Sequence, residues 1–159
     1  MPPYSQDPDG ELPFVDEHQV LVSAPASAVW RALTTQINRS QLAGASAGAY
    51  GHLVAAEPRR ASGNLPDEGA TLPGFRVAEA VPGHLLRLVG RHRFSRHALV
   101  FTLVPQSDGT LLSARTDAEF PGLHGRVYRL LVIGSGGHRV LLGRLLHAVR
   151  RQAEGESSR

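Results

Sequence analysis

The stretch "YRLLVIGSGGHRVLLGRLLHAVRR", Tyr128 to Arg151, decides the fold. Val127, Leu130, Leu131, Leu142, Leu145, Leu146 and Val149 recur at helical spacing and fall on one stripe at about 100° per residue. Arg126, Arg129, Arg144 and Arg151 fall on the other side. The step from Leu131 to Leu142 is close to a whole number of turns, so the phase is kept across "GSGG". The pattern predicts one long helix from about 123 to 152, kinked at most, rather than two helices joined by a free loop.

Gly134, Gly136 and Gly137 interrupt that run at a cost of roughly 3 kcal/mol relative to alanine, so some other requirement must offset them. On the helical wheel Gly134 and His138 lie near the middle of the apolar stripe. The helix is therefore expected to be thin where it crosses its neighbouring layer, with an imidazole directed into the gap, as a small-molecule cavity requires. Two other readings fit the same residues. The glycines can serve a close approach or mark a bend, and His138 can simply bond a backbone carbonyl. A nucleotide loop is not supported, because "GSGGHRVLLG" has neither the Lys-Ser/Thr pair nor a preceding strand. The same lack of a strand and sharp turn argues against a serine nucleophile in "IGSGGH".

Working outward, four strands precede this helix: "GFRVAEAV", "HLLRLVGRHRF", "HALVFTLVP" and "TLLSARTDAEF". Their linkers are short, with Pro82-Gly83 and Ser107 to Gly109 as turns, which predicts an antiparallel meander. In the last strand Leu112, Ala114, Thr116, Ala118 and Phe120 alternate with Ser113, Arg115, Asp117 and Glu119, so the first set faces inward. A short even-numbered loop at Ser107 to Gly109 places Phe101 opposite Ala114 and Leu99 opposite Thr116. Similar pairing makes His92 and His97 cross-strand neighbours near the opposite hairpin end, close to where Phe120 hands over to the helix. Upstream, "FVDEHQVLVSA" reads as a strand and "APASAVWRALTT" opens a helix with Val29, Trp30 and Leu33 on its apolar face. A second short helix is expected over "NRSQLAGA", a strand near "AYGHLVAAE" and a loop over "PRRASGNLPDEGATLP".

The length of 159 residues suits one domain with a real core. The expected organisation is a flexible tail over 1–13, a domain over 14–153 and a second flexible tail over 154–159. Cysteine is absent, which removes disulfides, thiolate nucleophiles and thiolate zinc sites. All 17 basic residues are arginine, which removes Schiff-base lysine chemistry. The net charge of +3 sits on groups protonated at any ordinary pH, so a high isoelectric point overstates the basic field at neutrality. Asp7, Asp9, Glu11, Asp16 and Glu17 make the start acidic, and Arg87 to Arg96 and Arg126 to Arg151 make two stretches basic. Solvated faces account for these. A nucleic-acid or anionic-lipid surface is the other reading; neither RNP-like aromatics nor a helix-turn-helix pattern supports it, and no window has the length of a membrane span. With no basic, apolar leader at Met1, a cytoplasmic protein is the default.

The order strand, two helices, antiparallel strands and long last helix resembles the START/Bet v 1-like helix-grip superfamily, also called SRPBCC. The residues carrying it are "VLVSAPASAVWRALT" (Val20 to Thr34), similar to that group's strand followed by "APxxxVW", and "FPGLHGRVYRLLVIGSGGHRVLLGRLLHAVRRQAE" as its final helix. Its polyketide cyclase/dehydrase and lipid-transport-like members are the most similar. The resemblance covers about 14 to 153 and implies an α+β fold. In it a curved antiparallel sheet wraps around a long C-terminal helix, with two short helices after the first strand and an apolar cavity between sheet and helix. It carries over no catalytic motif, since fold does not settle chemistry.

On that basis the expected function is binding of a small hydrophobic ligand, lipid- or polyketide-like. Phe101, Ala114, Thr116, Tyr128, Gly134 and His138 line the site, and no cofactor or metal is required. The first alternative is a cyclase/dehydratase-type enzyme in which His92, His97, His124 or Tyr128 does acid/base work on a carbonyl compound. Exposed rim histidines are the plainer reading of the same residues, and their dispersed spacing does not suit a metal. The second alternative is an interaction module acting through the arginine-rich faces.

Overall fold

Strands alternate buried and exposed positions along a half-buried sheet, and the computed structural model describes residues 11–42, 60–132, 134 and 136–159. The elements are β1 (Phe14–Val22), α1 (Ala26–Leu42), β2 (Thr71–Leu72), β3 (Phe75–Val81), β4 (Leu85–His92), β5 (Ser95–Gln106), β6 (Gly109–Glu119), α2 (Gly122–Val132) and α3 (Gly137–Ser157). Only residues 133–136 separate α2 from α3.

The strands form one antiparallel sheet in the order β1-β6-β5-β4-β3-β2. The β5–β6 turn is the expected short even loop: Gln106 pairs with Gly109, and this sets Phe101 opposite Ala114 and Leu99 opposite Thr116. Rows of side chains then cross the inner face. Asp16, Thr116, Leu99, Leu88 and Val77 form one row, and His18, Ala114, Phe101 and Leu86 form the next.

Two helices cover this face. Ala28, Val29, Trp30, Leu33 and Ile37 of α1 and Leu142, Leu146, Val149 and Ala153 of α3 are buried on it, each set at helical spacing. Side chains tie the helices to each other and to the sheet: Gln36 Nε2 donates to Gln152 Oε1 at 2.8 Å, and the Ser23 N–H donates to Glu154 Oε1 at 3.0 Å. At the β1–α1 corner the buried Thr110 hydroxyl donates to the Ala24 carbonyl at 2.8 Å. Gly109 fits beneath that corner because any Cβ there would collide with the Val22 carbonyl.

Several expectations need correction. The helix after β1 is a single element of 17 residues that takes in most of the expected second helix; the rest of that helix and the strand near "AYGHLVAAE" lie outside the described residues. The final helix is two helices. Gly136 adopts φ 73°, which an L side chain disfavours, and this redirects the chain between α2 and α3. The phase counted across "GSGG" is therefore lost: Leu142 and Leu146 are buried, whereas Val127, Leu130 and Leu131 are exposed. Gly134 is exposed too and does not thin a helix over the sheet. α3 runs to Ser157, so residues expected in the C-terminal tail are helical and Glu154 takes part in the packing.

Candidate ligand site under the head of α3

β1 alternates, so with Val22 in the core the inward set continues back through Val20 and His18 to Asp16. Asp16 pairs with Thr116 in register, and the first turn of α3 lies over both, supplying His138 and Arg139. A small polar cluster results on an otherwise apolar face. The His138 Nε2 is 2.9 Å from Thr116 Oγ1 and 3.5 Å from Asp16 Oδ1. Asp16 Oδ2 is 3.3 Å from His18 Nε2 and 3.9 Å from Arg139 Nε.

Asp16 is only 8 % exposed, and its Oδ1 is buried with no hydrogen-bond partner among the described residues. A buried carboxylate oxygen in that condition is costly, so its retention points to a role beyond packing. The arrangement is not a nucleophilic triad. Thr116 and Asp16 both approach the same ring nitrogen of His138, so the imidazole does not stand between a carboxylate and a hydroxyl as proton relay demands.

Of the residues expected to line a site, Thr116 and His138 are brought into contact. Phe101 and Ala114 lie one row away and are wholly buried in the core. Tyr128 is elsewhere, stacked on Phe94 at 5.4 Å between ring centroids and near Phe120 at 6.4 Å, where it holds α2 to the end of the sheet.

His92 pairs with Ser95 and His97 with Gly90, so the two are diagonal neighbours across the β4–β5 hairpin end, as expected. His97 lies across Gly90, with Nε2 donating to the Gly74 carbonyl at 3.0 Å, Nδ1 facing the Ser95 hydroxyl at 3.3 Å and Phe75 packed edge-on at 4.9 Å. Burial holds its pKa below the usual histidine value; the Gly74 bond opposes this and the nearby His138 adds to it. His124 is exposed on α2 rather than turned inward. On the outer face Arg115 bonds Asp117 at 2.8 Å and Arg96 reaches Glu119 at 3.8 Å, as surface charges.

Asp16, His18 and Arg139 were absent from the expected site. The first two were legible, since alternation back from Val22 puts both on the inner face; Asp16 instead counts by charge with the acidic start.

Solved structures share this arrangement over most of the chain. A protein of Nitrosomonas europaea matches with a TM-score of 0.55 at 15% identity, covering 91% of this chain and 96% of that one. A protein of Chromobacterium violaceum matches with a TM-score of 0.53 at 17% identity, covering 89% and 99%. The architecture is a helix-grip fold. The di-domain ARO/CYC StfQ from the steffimycin biosynthetic pathway has it too, with a TM-score of 0.53 at 14% identity, 91% of this chain spanning 51% of that one. No family model and no curated protein matches by sequence. Among the described residues no helix is long and apolar enough to cross a membrane, and no histidine–carboxylate group has the geometry to hold a metal ion.

Proposed function

We propose that the protein binds a small hydrophobic ligand, lipid- or polyketide-like, between the inner face of the sheet and the head of α3. The observation that carries this is the buried Asp16 carboxylate beside Thr116 and His138, with one oxygen left without a donor. A ligand hydroxyl would donate to Asp16 Oδ1, and a ligand carbonyl would accept from His138 or Arg139. Apolar ligand surface contributes about 2.5 kcal/mol for each 100 Å² removed from water, so the body of the ligand supplies affinity and the polar cluster supplies orientation.

The helix-grip likeness to an ARO/CYC protein favours a second reading, in which the same cluster moves protons on a bound polyketide. His138 is the residue placed for it, with its Nε2 2.9 Å from Thr116 Oγ1 and 3.5 Å from the Asp16 carboxylate. The original candidates His92, His97, His124 and Tyr128 remain proposals for such a step, with His97 the least available because both ring nitrogens are already engaged.

Native mass spectrometry against aromatic polyketides, sterols and fatty acids tests binding. One class should be retained, and Asp16→Asn, which replaces an acceptor by a donor at equal size, should weaken it about tenfold. Equal retention by the variant removes Asp16 from the site. Turnover abolished in His138→Gln with ligand retention kept would establish the enzymatic reading.

A further inference from the structure

α2 presents its two sides in an unusual way. Gly125 and Tyr128 face the sheet end, where a Cβ on Gly125 would come within 2.8 Å of Phe120 and Tyr128 stacks on Phe94. Leu123, Val127, Leu130 and Leu131 lie on the opposite side and are 73%, 52%, 72% and 68% exposed. An apolar stripe of this strength facing water calls for an occupant.

Charge narrows the choice. No acidic residue occurs between Glu119 and Glu154, whereas Arg126, Arg129, Arg139, Arg144, Arg150 and Arg151 do. Arg126 and Arg129 are exposed on α2 beside the stripe, and Arg139 and Arg144 are exposed on α3 with Val140 and Leu141. A second copy meeting this face across a two-fold axis would set the same arginines against each other with no carboxylate between them. An anionic bilayer surface instead satisfies both properties, taking the leucines into the headgroup–acyl boundary and the guanidiniums among the phosphates.

We propose that α2 is a membrane-docking helix that seats this face on lipid surfaces carrying anionic headgroups. The seat is peripheral, and α2 is too short to span. Its apolar stripe lies on α2, whereas the candidate ligand site lies under α3; Arg139 belongs to both faces.

The test is co-sedimentation of the full chain with vesicles of phosphatidylcholine alone and of phosphatidylcholine mixed with phosphatidylglycerol, at low and high salt. The variants are Leu130→Glu/Leu131→Glu and Arg126→Ala/Arg129→Ala, with folding checked by circular dichroism. The wild type should bind the phosphatidylglycerol vesicles at least about tenfold better than the neutral ones, and salt should weaken this. The glutamate variant should lose binding, and the alanine variant should lose most of the preference for anionic lipid. Absence of binding to phosphatidylglycerol vesicles, or undiminished binding by the glutamate variant, overturns the proposal. So does a wild-type dimer in sedimentation velocity that the glutamate variant abolishes, which would assign the face to a second copy.

Discussion

Gly90 and His97 stand opposite each other on β4 and β5, and the missing side chain of the first lets the imidazole of the second lie across the sheet to Gly74. A Cβ on Gly90 would collide with the Gly74 carbonyl and come within 2.8 Å of His97 Nε2. Gly90→Ala should therefore destabilise the protein by about 2–3 kcal/mol, read as a lower midpoint in urea unfolding with an unchanged slope. His97 makes a second prediction. Its pKa is depressed in the fold, so the unfolded chain takes up the proton first as pH falls. The stability it contributes is full above the ordinary histidine value and is lost as pH falls from there through the folded pKa. Thermal melts between pH 7 and pH 5 should show this decline, and His97→Gln should flatten it; an equal slope in both proteins would assign the dependence elsewhere. None of this was visible in the sequence, where His97 was one of several histidines, because the Gly74 carbonyl it bonds comes from a turn 23 residues away. Asp16 was visible, and a count of alternate positions from Val22 finds it.

At the level of elements, the strands were legible because their side chains alternate over a half-buried sheet, and the β5–β6 register followed from loop length alone. The last helix was not. Its leucines keep a helical phase on paper, but Gly136 at φ 73° breaks the backbone and leaves α2 and α3 with different faces. Gly136→Ala should cost about 1–2 kcal/mol in unfolding free energy, since alanine must hold a left-handed conformation there. A neutral or stabilising effect would mean that the two helices can join into one. The same break places His138 in the first turn of α3, over β1 and β6, so the glycines do bear on the candidate site, though by redirecting the chain rather than by thinning a helix.

Over the whole molecule, a single curved sheet with α1 and α3 on one face leaves β1 and the head of α3 together at one end of the core, and the polar cluster lies at that junction. The resemblance foresaw this architecture; the carboxylate beside Thr116 and His138 lay in a stretch set apart for its charge. The central claim is that this junction holds a ligand. Native mass spectrometry of the wild type and Asp16→Asn, side by side against the same panel of aromatic polyketides, sterols and fatty acids, tests it most directly. One compound class retained by the wild type and weakened about tenfold in the variant is the predicted result. A folded wild type that retains none of the panel, or a variant that retains it equally well, would contradict it.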